Sequence, residues 1–250
     1  MNLKANFTEY YDMDLNPNVS SRLDEYADTM TDNYYLKVES DNEEIKTNLN
    51  FLFSDILNFN SEKLWTISRQ LLKFGNYYMR LSMAPGVGIF RASELPAFNV
   101  VIDVKDNFHK QYHVDDMIYD NHEVAHFRLI RSGDSLPYGE SILSSAVRFH
   151  KQLQMLEDAM LIKRIIKKEK SEDVDMSDIE YVTKKLIAAI GMKGISDNTE
   201  LDDVRYQRKL ESIKKAIISE LRNIAMIHIY TIDKTHPDIT NFKLSLAKEE

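Results

Sequence analysis

Between Gly139 and Gly191 the chain carries neither glycine nor proline, and this unbroken stretch constrains the fold more than any other feature. With no helix breaker present, apolar spacing decides its form. Ile142, Ala146, Phe149, Leu153, Leu156 and Met160 recur at intervals of four and three, close to a heptad seam. Leu210, Ile213, Ile217, Leu221, Ile224 and His228 make a second stripe further on. The spacing predicts two long helices, Tyr138–Lys168 and Leu201–Tyr230, each extending roughly 37–45 Å at 1.5 Å per residue. An acidic excursion separates them. Rods of this length in a chain of 250 residues call for neighbours to cover them, and copies in a ring would do so.

The rest of the chain reads as helices followed by a small sheet. Ser20-Ser21 would cap a short helix carrying Leu23, Tyr26, Ala27 and Met30 on one face. Ser40-Asp41-Asn42-Glu43 has capping-box spacing ahead of the stripe Ile45, Leu49, Leu52 and Ile56. Asn60 or Ser61 opens another helix through Leu64, Ile67, Leu71 and Phe74. Met83 to Gly88 is a turn signal. After it, β-branched segments at Asn99–Val104 and Val124–Ile130 suit a small sheet packed beside the helices. The fold class expected is α+β, predominantly helical.

Charge and composition exclude several functions. A formal net charge of −8 argues against a protein whose main act is gripping phosphates. The charge is uneven, however: residues 138–170 are net +3 and residues 202–232 net +2, in an otherwise acidic body. There is no cysteine, which removes disulfides, zinc ribbons and thiol catalysis and fits a reducing compartment. The polar N-terminus has no signal-peptide core, and no apolar run of about 18 residues is present to span a membrane. No P-loop pattern occurs, and Gly86-Val87-Gly88 lacks the third glycine of a dinucleotide loop. No cofactor is expected.

One catalytic motif stands out. His122-Glu123-Val124-Ala125-His126 matches H-E-x-x-H, in which two histidines on one helical face bind zinc and the glutamate polarises the metal-bound water. Leu129 and Ser132 stand where the longer motif needs glycine and a third histidine, while Glu140 and Glu157 remain as acidic ligand candidates. Val124 to Ile130 also alternates as a strand does, and residues four apart in a strand lie about 13 Å from each other, beyond the reach of one metal ion. The paired acids Asp12 and Asp14 are a weaker metal candidate.

The order Pro137-Tyr138-Gly139-Glu140-Ser141-Ile142-Leu143, then Lys151-Gln152-Leu153 to Glu157-Asp158-Ala159-Met160, resembles the portal proteins of tailed bacteriophages, of the large myovirus type. Three further blocks agree in order. They are Tyr11–Asp14 with Val19–Asp28, Leu64–Tyr78 (similar to a helix of the family), and Asp202–Ile213 with Ser219–Ala225. His126-Phe127-Arg128-Leu129 is similar to a wing strand.

The resemblance implies a wing domain over residues 1–137, a first stem helix at 138–168 and a shortened clip with a possible tunnel-loop region at 169–200. A second stem helix would occupy 201–232, and 233–250 would return into wing and crown, apparently truncated. After Arg164 the family runs into an Ala-Pro-Glu-Arg-Arg segment and a larger clip, which this chain lacks.

What the resemblance implies about function is a ring, commonly of twelve subunits, at one capsid vertex of the virion, assembled in the host cytoplasm. Double-stranded DNA passes through such rings without sequence recognition. They dock the large terminase and neck proteins and nucleate head assembly with the major capsid protein. Arg205, Arg208 and Lys209 are the channel-facing candidates, and Glu169, Lys170, Glu172, Asp173 and Asp175 the clip candidates. The chain would not be an enzyme. Two other readings stand beside this one: a zinc metalloprotease using His122, Glu123 and His126, and a helical scaffold or adaptor that never meets DNA.

Overall fold

The computed structural model describes residues 3–32, 34–105, 109–130, 136–166, 176–190, 199–234 and 239–248. The clip candidates Glu169, Lys170, Glu172, Asp173 and Asp175, and most of the possible tunnel-loop segment 191–200, lie outside the described residues.

Helices α1 (Leu3–Asp14) and α2 (Pro17–Thr31) open the chain. Asn16 Oδ1 accepts the Asn18 N–H at 3.0 Å, and Pro17 takes the first helical position, where a missing N–H costs nothing. Ser20 and Ser21, expected as caps, therefore lie inside α2. Leu23, Tyr26, Ala27 and Met30 are fully buried, as their stripe requires.

Strand β1 (Tyr34–Glu39) leads to α3 (Glu43–Phe51), which is capped by Asn42 Oδ1 through the N–H groups of Glu44 and Ile45. The helix widens into a π turn over Leu52–Ile56. Asn60 Oδ1 caps α4 (Ser61–Phe74) through the Lys63 N–H at 2.8 Å. Gly75, at φ 74°, ends α4 in the left-handed region.

The segment after Gly75 departs from the expected helical block. Asn76–Ala84 forms strand β2, at the centre of a sheet ordered β3-β2-β7, with β3 at Gly88–Leu95 and β7 at Val124–Arg128. A second three-stranded sheet joins β4 (Val100–Lys105), β5 (His109–Val114) and β6 (Met117–Asp120). Tyr78, Val100, Ile102, Tyr112, Val114, Tyr119 and Val124 form one buried cluster spanning both. A third, two-stranded sheet pairs β1 antiparallel with β8 (Lys243–Lys248). Mixed helices and small antiparallel sheets thus replace the single small sheet expected.

The first long helix begins later than its seam suggests. Helix α5 runs Val147–Ile166, after a 3-10 turn at Ile142–Ser145, so Tyr138–Ala146 is not part of it. The reason is hydrogen bonding just upstream: the Glu140 N–H donates to Leu129 C=O at 2.9 Å, and the Ser141 hydroxyl donates to Leu72 C=O at 3.0 Å. Helix α6 (Met176–Ile190) occupies much of the segment assigned to a clip. Helix α7 (Thr199–Ile232) matches the second long stripe and extends about 51 Å.

The chain divides into two compact units, one of Met1–Arg22 with Ile142–Lys209 and one of Leu23–Ser141 with Leu210–Glu250. In the first, α5 packs against α1 and α6, with Leu153, Leu186 and Ile190 buried. Lys151 pairs with Glu9, and Ser145 Oγ donates to Ala189 C=O at 3.1 Å. The outer part of α5 is less covered: Met155 and Leu161 are 72% and 58% exposed. In the second unit the α7 stripe from Leu210 to His228 is buried throughout. Among the described residues no helix is long and apolar enough to cross a membrane.

Candidate functional site

Strand β7 settles the geometry of the H-E-x-x-H sequence. His122 is exposed in the turn before β7, while His126 is buried within the strand. Glu123 Oε2 accepts the Asp120 N–H at 2.9 Å and so serves the turn. The helix that would bring the two imidazoles onto one face is not formed. Among the described residues no group of three metal-ligating side chains comes together.

His126 instead belongs to a knot of hydrogen bonds in the second unit. Asn76 Oδ1 accepts the Gly139 N–H at 2.7 Å, which fixes that atom as the oxygen. His126 Nε2 lies 2.9 Å from the same oxygen and must therefore donate to it. The ring is then the neutral Nε2–H tautomer, and Nδ1 accepts from the Tyr112 hydroxyl at 3.4 Å. Asn76 Nδ2 donates to the carbonyls of Phe74 and Gly139 at 3.0 and 3.3 Å. The imidazole also stacks on Tyr78, with centroids 4.3 Å apart. Burial, then the charges of Arg128 and Lys110, hold its pKa well below the ordinary histidine value.

The Pro-Tyr-Gly-Glu-Ser segment ties into this knot. The Tyr138 hydroxyl accepts the Ile102 N–H at 2.7 Å, and Arg128 Nη1 donates to Pro137 C=O at 3.0 Å. The Leu129 N–H donates to Gly75 C=O at 2.9 Å. Here the motif acts as the clasp that holds β7 and the two larger sheets to the end of α4.

Beside the knot, β7 and α7 border a cleft of about 350 Å³ lined by Lys110, Tyr112, His126, Arg128, Glu220 and Asn223 among others. Glu220 Oε1 accepts the backbone N–H of His126 at 2.9 Å, and Asn223 Nδ2 donates to Oε2 at 3.0 Å. Burial pushes the Glu220 carboxyl upward against the pull of those two bonds and of Arg128 and Lys110. The Lys110 ammonium is pushed downward, by burial first and then by Arg128. The cleft thus joins one reluctant carboxylate to two cationic groups, a weakly ionic site fixed on rigid elements.

The channel candidates sit on the first part of α7. Arg205 and Arg208 are exposed. Lys209 is half-buried, and its ammonium donates to the Ile190 carbonyl at the end of α6, so it neutralises a helix C-terminus. Sequence reasoning missed Glu220 and Asn76, because a single side chain bonding to a strand edge leaves no periodic trace.

The fold resembles a chain found in the neck of a gene transfer agent particle. In the empty particle, computed with C6 symmetry, the match has a TM-score of 0.61 at 12% identity and covers 99% of this chain and 84% of the other. In the native particle's neck, computed with C12 symmetry, the TM-score is 0.59 at 13% identity, covering 93% and 80%. An HK97 family phage portal protein from Corynebacterium diphtheriae aligns at a TM-score of 0.46 and 12% identity, covering 95% and 94%. No protein-family model and no curated protein matches the sequence.

Proposed function

We propose that this chain is a portal-type subunit, copies of which close a ring at one capsid vertex and conduct double-stranded DNA during packaging and ejection. The observation that carries the reading is the fold. Nearly the whole chain superposes on a chain from a neck computed with C12 symmetry, and the sequence independently resembles phage portal proteins in four collinear blocks. A ring of twelve is the stoichiometry we adopt. The role is structural rather than enzymatic. Met155 and Leu161, exposed on α5, are apolar surface that neighbouring copies would cover.

In this reading α5 and α7 are the stem, and the segment 169–200, with Glu169, Lys170, Glu172, Asp173 and Asp175, meets the large terminase. Neck proteins and the major capsid protein bind elsewhere on the ring, in a particle of the large myovirus type. Negative-stain images of the purified chain should show rings with a hole wide enough for duplex DNA. Discrete monomers would overturn the portal reading and leave the adaptor.

A conduit must let DNA slide, so its contacts are weak and indifferent to sequence. Arg205 and Arg208 carry them here. Binding of the ring to free duplex should be weak and fall steeply with salt. The double replacement Arg205→Ala with Arg208→Ala should lower the salt slope by about 2 per subunit engaged. Tight binding that ignores salt would refute the loose channel while leaving the ring intact.

A further inference from the structure

Helix α7 is fastened to two different strands by acceptors of opposite chemistry. Glu220 takes the His126 N–H of β7. Two turns later His228 Nδ1 accepts the Ile89 N–H of β3 at 2.9 Å. The His228 ring is 3% exposed and fills a slot above Gly88, where an added Cβ would come within 2.6 Å of ring atoms Cε1 and Nδ1. The surrounding groove, about 420 Å³, is lined by Asn48, Phe51 and Ile56 on one side and by the hairpin residues Val87, Ile89 and Phe90 on the other. Ile232 of α7 completes it, and none of its described lining residues is charged.

A proton placed on His228 Nδ1 would oppose the Ile89 N–H, donor against donor, with no anion in the groove to receive the charge. We infer that His228 is an acid-released latch that fastens the β2–β3 hairpin to the end of α7, while Glu220 keeps β7 attached. Releasing it frees Ile89, which is fully buried, and leaves the Gly86 N–H to Thr231 C=O bond at 3.0 Å at the rim.

The two fasteners respond to pH with opposite sign. Burial lowers His228 from the usual value near 6.5 to about 4. A depressed folded-state value means the latch is at full strength above about 6.5 and weakens as the pH falls toward 4. Glu220 faces Lys110 from β5, Arg128 from β7 and Asn223 from α7, and its carboxyl is raised by burial. A raised carboxyl favours the folded state most when protonated, so acid does not weaken the Glu220 fastener itself, and any acid response of β7 comes from His126.

Hydrogen exchange on the full chain tests the latch. After correction for intrinsic rates, protection of the Ile89 amide should fall on the order of fiftyfold between pH 7 and pH 4.5. In His228→Asn the side-chain oxygen replaces Nδ1 as an acceptor that takes no proton, and the Ile89 loss should disappear. Constant Ile89 protection in the wild type, or parallel loss in His228→Asn, would overturn the inference. Should the variant fail to fold, the wild-type imidazole decides by NMR: titration near 4 supports the latch and titration near 6.5 sinks it.

Discussion

Gly139→Ala should leave no folded second unit at 25 °C. A Cβ at this position would stand 2.0 Å from the Gly75 carbonyl oxygen and 2.9 Å from both the Gly75 carbonyl carbon and the Leu129 nitrogen. All three are backbone atoms, so no side-chain rotation relieves the clash. Gly75 cannot yield either: its own φ is +74°, and a Cβ there would meet Glu140 and Ser141 backbone at 2.5 and 2.6 Å. Moving the two segments apart would break the Gly139 to Asn76 and Leu129 to Gly75 bonds together.

The expected cost exceeds about 4 kcal/mol, a large share of a domain's whole stability. Gly86→Ala is the matched control. Its φ of +79° adds a backbone strain that Gly139 does not carry, but nothing lies within 4 Å of its Cβ, so about 1 kcal/mol is expected. Urea unfolding followed by circular dichroism compares them, and equal midpoints for the two variants would refute the packing argument.

Helix α7 was legible in the sequence because its stripe is long, and every stripe position from Leu210 to His228 proves buried. The same rule misplaced the start of α5. Ile142 and Ala146 keep helical spacing and are buried, yet Glu140 and Ser141 just before them are bonded to Leu129 and Leu72. Apolar spacing reports burial, and a clasp that buries its residues by other bonds imitates a helix.

Strand β2 was hidden for a related reason. Tyr77, Tyr78, Met79 and Leu81 are all buried in a central strand, so the alternation that betrays a strand is absent. The edge strand β7 showed enough alternation in its sequence alone to weaken the zincin reading. What no local pattern could supply was the pairing of His126 with Glu220, 94 positions away. The portal resemblance located the Pro-Tyr-Gly-Glu-Ser segment without explaining it. The explanation is the contact of two glycine backbones with Asn76 between sheet and clasp.

Asn76→Leu should cost about 3–5 kcal/mol, although leucine is similar to asparagine in size. The replacement leaves two buried donors, the Gly139 N–H and His126 Nε2–H, without an acceptor. It also removes the amide that serves the Phe74 and Gly139 carbonyls. Each buried group orphaned costs about 1–3 kcal/mol, and these missing hydrogen bonds outweigh any benefit from a more apolar side chain. Asn76→Asp separates hydrogen bonding from charge. Its carboxylate still accepts from Gly139 and His126, but it draws a proton onto the imidazole and raises a pKa that burial now depresses.

The size of the pH response distinguishes the variants. In the wild type, His126 contributes stability that is complete above about pH 6.5 and is lost on acidification. In Asn76→Asp the carboxylate raises the folded value toward the unfolded one, so less of that contribution is lost on acidification. Between pH 7 and pH 5 the Asp variant should therefore lose less stability than the wild type, by up to about 1.4 kcal/mol per pH unit over the range in which the imidazole titrates. Identical slopes for the two proteins would show that His126 does not hold the neutral, Asn76-bonded form on which the clasp depends.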